Sequence, residues 1–322
     1  MLLNYLSALP AAAAQGLIWG IMAIGVYITY RILDVADLTV DGSICTGGAV
    51  CAVMITNGMP MWLAILSAII AGMLTGLVTG LFHTFMGIPA ILAGILTQLI
   101  LWSINLKIMG KSNLALLATK YDLLVTRLDL FKALIILELI AAAVIIVLYW
   151  FFGTEFGSSI RATGANLNMS RAQGINVNFT KIFGLVISNG LVALSGALLA
   201  QYQGSSDINM GKGAIVIGLA AVIVGEALFG WMSRNNFALK MITVVLGAIV
   251  YYIVYTTVIY LGLDADLLKL LSAVLVAVFL AVPYWKKKYF SNAAYEEKRE
   301  QKLAAKAAKK AEKKAANGKE GN

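Results

Sequence analysis

Few side chains in this sequence could do chemistry, and they are scattered along an apolar chain. The 322 residues include one histidine, His83, and only 13% of them are charged. Glu138 and Glu226 lie inside apolar stretches long enough to form helices. A carboxylate is costly to bury in such a stretch, so each is a candidate for an intramembrane functional role. A proton relay is open for Glu138, whereas Glu226 lies near the end of its helix, where a structural bond to loop backbone is the alternative.

The motifs of common enzyme classes are absent from the sequence. There is no HExxH zinc pair, and His83 is the single histidine available for a Ser-His-Asp set. Two segments resemble phosphate loops, but Asn105 and Ser206 stand where the first glycine is required. Cys45 and Cys51 match no metal-binding signature. We therefore expect no catalytic residue, no metal ion and no cofactor bound by this chain.

A polar stretch at residues 33–50, LDVADLTVDGSICTGGAV, interrupts the apolar pattern early in the chain. Residues 41–43, Asp-Gly-Ser, could end one helix and cap the next. Irregular backbone within the membrane is tolerated only where it contacts protein or water. This segment could therefore also line the path of a solute. The residues of that hypothetical translocation path are Asp37, Thr39, Asp41 and Ser43.

These residues belong to a chain that is too apolar for a water-soluble domain. Hydrophobic residues make up 60% of it and the mean hydropathy is +0.85, whereas a soluble surface needs more charge. Uncharged stretches of about 20 residues can cross the hydrocarbon layer as helices. The predicted fold class is all-α, a polytopic transmembrane bundle of about eight or nine helices, some of them broken. We place the helices at 11–33, 42–57, 61–82, 89–105, 131–152, 181–202, 214–230, 238–261 and 266–284, and the second is short enough to be broken or half-inserted.

The positive charge is concentrated at the carboxyl end of the chain. Residues 285–322 hold 12 Lys and Arg against 5 Asp and Glu, so they carry +7 of the net charge of +9. This location argues against nucleic acid as a partner and leaves two alternatives, a plain solubilising cytoplasmic tail or a tail that lies near acidic lipid headgroups. We divide the chain into a transmembrane domain, 1–284, with a polar loop at about 155–180, and a basic tail, 285–322. The positive-inside rule places that loop and the tail in the cytoplasm, although the basic segment 106–132 would then lie outside.

One predicted helix has a stripe of small residues. Gly72, Gly76 and Gly80 recur every four positions in AGMLTGLVTG, which leaves a smooth face for another helix to approach. The sequence leaves both packing within the chain and packing against a second copy open.

The most distinctive polar segment is RATGANLNMSRAQGINVN, residues 161–178, between two apolar stretches. It resembles the cytoplasmic loop of permeases of ABC importers in the branched-chain amino acid and ribose group. ADLTVDGSICTGGAV and GLVALSGALLAQYQG are similar to other elements of that family, and LDVADLTVDG is most similar to its tryptophan- and tyrosine-type amino acid permeases. In the family this loop forms a coupling helix that docks on the ATPase. The resemblance assigns the ATPase contact to Arg161, Gly164, Asn166, Arg171, Gly174 and Asn176.

The resemblance implies a function and a set of partners. The chain would be the permease subunit of an ATP-binding cassette importer in the bacterial plasma membrane, with a cytoplasmic carboxyl terminus. It would form a homodimer, or a close heterodimer, and would work with ATPase subunits that bind ATP and Mg²⁺ and with an extracytoplasmic solute-binding protein or lipoprotein. The expected solute is an amino acid, aromatic ones included; a sugar or a nucleoside is the alternative. The rival function is an ion-coupled secondary transporter that uses Glu138 or Glu226.

Overall fold

The fold is a bundle of helices of two lengths, seen in a computed structural model that describes residues 2–232 and 236–261, together with the scattered helical positions 270, 273, 274, 277, 278, 281 and 285. The chain divides into two units, Met1–Val276 and Ala277–Asn322, and the helices and strands with defined bounds all lie in the first. The predicted helix 266–284 and the basic tail lie almost wholly outside the described residues. The helices are α1 (Leu2–Tyr27), α2 (Val40–Thr56), α3 (Met61–Thr84), α4 (Ala90–Met109), α5 (Leu130–Gly153), α6 (Glu155–Ala165), α7 (Leu167–Ala172), α8 (Val177–Gln203), α9 (Ala214–Phe229) and α10 (Phe237–Tyr260).

Six of these helices are long and apolar enough to cross a membrane. They are α1 with the π-helical turn Ile28–Ile32 that continues it, α3, α4, α5, α8 and α10, and their apolar lengths run from 20 to 27 residues. At 1.5 Å per residue each reaches about 30 Å or more. The all-α prediction is therefore confirmed, and the predicted spans agree with these helices to within a few residues at each end.

Local sequence signals explain several of the boundaries. Pro89 immediately precedes α4, a position where proline is well tolerated, and Gly110 ends α4 with a φ of 67°. The predicted start of α8 at residue 181 is late, because Asn176 caps the helix and it begins at Val177. The predicted start of α2 at residue 42 is also late. That helix begins at Val40, so Asp41 lies in its first turn rather than ahead of it.

Helix α8 is the centre of the described bundle and packs against α1, α2 and α3. The glycine stripe of α3 faces it: a Cβ on Gly72 or Gly76 would overlap the backbone carbonyl oxygens of Asn189 or Leu185. Glycine at both positions lets the two backbones approach closely. The stripe therefore packs within the chain, which resolves the alternative left open by the sequence.

Two helices are too short to cross the membrane alone. Helix α2 has 17 residues and α9 has 16, and each follows an irregular segment, 33–39 and 208–213 respectively. Their amino-terminal ends meet inside the bundle, where the side chain of Asp41 reaches the start of α9. The helix predicted to be broken or half-inserted is thus α2. Helix α9 is a second short helix, and its amino-terminal end lies next to that of α2.

The two ends of the bundle have different structures. Helices α6 and α7 lie between α5 and α8 at one end. At the other end the strands β1 (Asn113–Ala115) and β2 (Ser205–Asp207) pair antiparallel, and β2 directly follows α8. Helix α8 is about 40 Å long, so the basic segment 106–132, which contains β1, lies far from α6 and α7. The predicted order of spans likewise puts this segment at the opposite end from the polar loop.

Candidate functional site: the helical insert and the polar interior

The insert between α5 and α8 is built from capped helices. The side chain of Asn166 accepts hydrogen bonds from the backbone nitrogens of Asn168 and Met169 at 3.1 and 3.0 Å. Asn176 likewise accepts from the nitrogen of Phe179 at 3.1 Å. Each such cap contributes about 1 kcal/mol to its helix. Two of the residues predicted to contact a partner therefore fix the backbone of the insert with their side chains.

The two predicted glycines have different roles in the insert. A Cβ on Gly164 would overlap the carbonyl oxygen of Ile32, so α6 lies directly against the π-helical turn of α1. Gly174 ends α7 with a φ of 79°, a conformation that side chains rarely adopt. A hydrogen bond of 3.0 Å between the hydroxyls of Thr163 and Thr180 also joins α6 to α8. The insert is consequently attached to α1 and to α8 rather than hanging from a flexible loop.

Apolar and basic side chains are exposed on α7 and at the start of α8. Met169 is 58% exposed and Phe179 is 53% exposed, and Leu167 is partly exposed beside them. Arg171 is exposed on the same short helix. We call these four residues, Leu167, Met169, Arg171 and Phe179, the α7 face. Exposed apolar side chains together with a cation are common on surfaces that another protein covers.

Arg161 lies apart from the α7 face. Its guanidinium carbon is 5.8 Å from the ring centre of Phe237, at the start of α10. It also lines a cavity of about 540 Å³ with Arg31, Lys240 and Glu226. Of the predicted contact residues, Arg161 is therefore directed toward the transmembrane helices.

Glu226 has a basic partner that the sequence did not reveal. The Arg31 Nε atom lies 3.2 Å from its Oε1 atom, and the two side chains are 57% and 38% exposed. The pair is separated by 195 residues along the chain, so sequence spacing could not have found it. The one available signal was the charge of Arg31 at the end of an apolar helix. Glu138, in contrast, is exposed on α5 and makes no hydrogen bond or ion pair with any residue of the described ranges.

Asp37 is buried in the interior and is held by hydrogen bonds. The Asp37 carboxylate accepts from the backbone nitrogen of Thr39 at 2.9 Å and from the side-chain nitrogen of Asn189 at 2.7 Å. The Ser43 hydroxyl donates to Asn189 Oδ1 at 2.6 Å. These bonds offset the large desolvation penalty of the buried carboxylate.

Three threonines extend this network between helices. The Thr39 and Thr79 hydroxyls are 2.7 Å apart, and Thr79 donates to Thr97 at 2.9 Å. Ser43 is 2.7 Å from the Thr75 hydroxyl. Of the four predicted path residues, Asp37, Thr39 and Ser43 are thus enclosed in a polar network that ties α2 to α3, α4 and α8. Asn189, Thr75, Thr79 and Thr97 were missed, because a lone polar residue in an apolar helix gives no sign of its partner.

Asp41 is the predicted path residue that borders open space. Its Oδ2 atom accepts from the nitrogen of Gly213 and its Oδ1 atom from the nitrogen of Ile215, both at 2.9 Å. The amino-terminal ends of α2 and α9, which carry partial positive charge, both lie beside this carboxylate. Asp41 also lines a cavity of about 170 Å³ beside α4. The predicted capping of α2 by this segment is wrong, because Asp41 lies in the first turn of α2 and bonds instead to the start of α9, 172 residues away along the chain.

The chain is similar to known proteins in sequence and in fold. A family described as branched-chain amino acid transport system / permease component matches residues 9–283. A tyrosine transport system permease protein of Clostridioides difficile is 40% identical over 280 residues, which cover 86% of this chain and 91% of that protein. An uncharacterized protein of Rickettsia prowazekii is 36% identical over 278 residues, covering 86% of this chain and 98% of that one. Among solved structures, a chain of PsaBC from Streptococcus pneumoniae in complex with Fab has a similar fold, with a TM-score of 0.53, 14% identity, and coverage of 90% of this chain and 99% of that chain.

Proposed function

Because the chain belongs to the branched-chain amino acid transport system permease family, we propose that it moves an aromatic amino acid, with tyrosine as the first candidate, through an ABC importer. It is a permease subunit of an ABC transporter and a multi-pass membrane protein, and family membership implies ATPase and solute-binding partners. The proposed solute is supported by the similarity to a tyrosine transport system permease over most of both chains. A sugar or a nucleoside remains the alternative solute.

The observation that carries the proposed mechanism is the attachment of the α7 face. This face is exposed, whereas α6 behind it lies against Ile32 at the end of α1 and is joined to α8 through Thr163 and Thr180. A rigid insert of this kind passes a displacement to the spans instead of absorbing it. We propose that the ATPase binds the α7 face and that ATP and Mg²⁺ are bound by the ATPase alone. Closure of the ATPase subunits would then move the insert, and the translocation path would switch between outward and inward access.

We also propose an assembly for the transporter and an orientation of this chain in the membrane. Two copies of the chain, or one copy with a close relative, would face two ATPase subunits. The insert and the basic tail would lie in the cytoplasm, and the β1–β2 end would face the solute-binding protein. The positive charges of Arg161, Arg171 and Lys181 near the insert favour this orientation.

Gentle purification from native membranes tests the proposed partner. We expect mass spectrometry to identify an ATPase that carries phosphate-loop motifs in the purified sample. The charge reversal Arg171→Glu should abolish co-purification of the ATPase, because it changes the α7 face without disturbing a buried contact. Arg127→Glu, at the far end of the bundle, is the matched control and should keep it.

Two outcomes would count against this function. An Arg171→Glu protein that keeps the ATPase and transports normally would remove the α7 face from the mechanism. Uptake that collapses with an ionophore and survives loss of the ATPase would favour the ion-coupled alternative, with Glu138 as its unpaired carboxylate.

A further inference from the structure

Asn105 on α4 is a polar side chain without a partner. It is fully buried, and neither its amide nitrogen nor its amide oxygen makes a hydrogen bond within the part of the chain that the structure describes. Buried polar groups in proteins are nearly always hydrogen-bonded, because an unpaired one loses its bonds to water and gains none in return. An unpaired amide beside a cavity therefore indicates a missing polar ligand.

The cavity that Asn105 lines has a volume of about 170 Å³. It lies where α2 and α9 begin, between α2, α4 and the irregular segment 208–213. Its polar lining consists of Asp41, Gln98, Trp102, Asn105 and Lys212. Broken helices place backbone and side-chain polar groups at membrane depth beside a path for solutes. The location is thus suited to a small polar molecule in transit.

The charges of the lining select among small molecules. Asp41 supplies one anionic group and Lys212 one cationic group, so the lining holds a balanced pair of opposite charges. The Asp41 carboxylate accepts two backbone hydrogen bonds, but a carboxylate has about four acceptor positions, which leaves room for another donor. The amides of Gln98 and Asn105 can each donate and accept.

We propose that this cavity binds the ammonium and carboxylate groups of a zwitterionic amino acid on its way through the permease. Asp41 receives the ammonium group and Lys212 the carboxylate, while Asn105 and Gln98 supply amide hydrogen bonds. The volume suits the polar head of an amino acid rather than the whole of an aromatic one. The side chain of the solute then extends along Trp102, which is 48% exposed at the edge.

This proposal rests on the proposed function and makes it more specific. A neutral sugar could hydrogen-bond to the lining, but it would leave the charges of Asp41 and Lys212 without an opposite charge. A zwitterion supplies one for each. The lining therefore favours amino acids over sugars as a class and requires both charged groups of the solute.

Direct binding to the full transporter, without its solute-binding protein, tests the site. The complex is placed in lipid nanodiscs, and binding of radiolabelled L-tyrosine is compared with competition by tyramine, which lacks the carboxylate, and by D-xylose. We expect unlabelled tyrosine to compete at least tenfold better than either. Asn105→Leu should weaken tyrosine binding at least tenfold, because it keeps the side-chain size and removes the amide. Ser103→Ala, an exposed position on the same helix outside the cavity, is the matched control and should bind as the unmodified protein does.

The cationic group is tested separately, at a position where folding is not at risk. Lys212 is exposed, so Lys212→Met should fold normally, weaken tyrosine binding, and abolish the preference for tyrosine over tyramine. Equal binding by the unmodified protein and by both Asn105→Leu and Lys212→Met would overturn the site, as would competition by D-xylose equal to that by tyrosine, or no binding of tyrosine at all.

Uptake in proteoliposomes, with the solute-binding protein supplied on the side opposite the ATPase, separates this inference from the function on which it rests. If both variants take up tyrosine with ATP as the unmodified protein does, the site is wrong and the importer function stands. If the unmodified complex itself takes up no tyrosine when ATP is supplied, the proposed function fails instead. Loss of ATP-driven uptake in both variants, with the ATPase still bound, supports the site.

Discussion

At the scale of single residues, Asn189 links separate parts of the polar interior. Its amide donates to the Asp37 carboxylate and accepts from the Ser43 hydroxyl, so it joins α8 to the irregular segment before α2. A hydrogen bond to a charged group contributes more than a neutral one, and its loss leaves a buried carboxylate short of a donor.

Replacement of Asn189 by Ala should therefore destabilise the protein markedly. We expect a loss of about 2–4 kcal/mol in the free energy of unfolding. Thermal unfolding in detergent, followed by loss of monodisperse protein, measures it. Asn178→Ala changes an exposed residue on the same helix and should leave the midpoint almost unchanged. Equal midpoints for the two variants would mean that the Asp37 carboxylate finds other donors.

The pair formed by Glu226 and Arg31 allows a second prediction at this scale. Both side chains are partly exposed, and such ion pairs contribute at most about 1 kcal/mol. Glu226→Gln should therefore fold normally and retain most ATP-driven uptake, because the importer mechanism needs no proton at this site. Uptake that falls to background in Glu226→Gln would instead indicate proton coupling through the carboxylate.

Among the residues, those with local partners were predictable and those with distant partners were not. The helix-capping capacity of Asn176 could have been recognised from its position before an apolar run, since a cap bonds within its own turn. Arg31 and Glu226, or Asp41 and Gly213, are far apart in sequence. Their pairing depends on how the helices pack, and no spacing rule contains that information.

At the scale of elements, the contact between α6 and the π-helical turn of α1 connects the insert to the bundle. A Cβ on Gly164 would overlap the Ile32 carbonyl oxygen. Short π-helical turns are often found at functional positions. This turn lies where a movement of the insert would be transmitted to α1. The insert was predicted from its polarity, but the glycine contact that attaches it could not be.

Gly164→Ala should uncouple the transporter while leaving it in the membrane. The added methyl group must push α6 away from α1, so we expect at least a tenfold loss of ATP-driven uptake with the ATPase still bound. Gly153→Ala is the matched control, because a Cβ at Gly153 meets no atom within 4 Å. Normal uptake by Gly164→Ala would show that the contact with Ile32 is not needed for coupling.

At the scale of the whole molecule, the two ends of the bundle should face different sides of the membrane. The insert lies at one end and the β1–β2 pair at the other, separated by the length of α8. The order of spans needed for this arrangement could be predicted from hydropathy. The short helix at 214–230 could also be predicted, but its meeting with the amino-terminal end of α2 could not, because an apolar run of 16 residues does not reveal which helix end it contacts.

Cysteine labelling checks the orientation. The native Cys45 and Cys51 are buried, so an introduced cysteine at an exposed position reports on its own side. A membrane-impermeant maleimide added to intact cells should label Leu117→Cys and not Asn168→Cys, and inside-out vesicles should give the reverse. Labelling of Asn168→Cys in intact cells would place the insert outside and exclude a cytoplasmic ATPase as its partner.

The most direct test of the proposed importer function is tyrosine uptake by the reconstituted complex under two separate sources of energy. An ATP-driven importer predicts uptake when ATP and Mg²⁺ are supplied on the ATPase side and the solute-binding protein on the other side. This uptake should be unchanged by an ionophore and lost in Arg171→Glu. Uptake driven by a proton or sodium gradient without ATP, and unaffected by Arg171→Glu, would contradict the proposed function of the permease and of its α7 face.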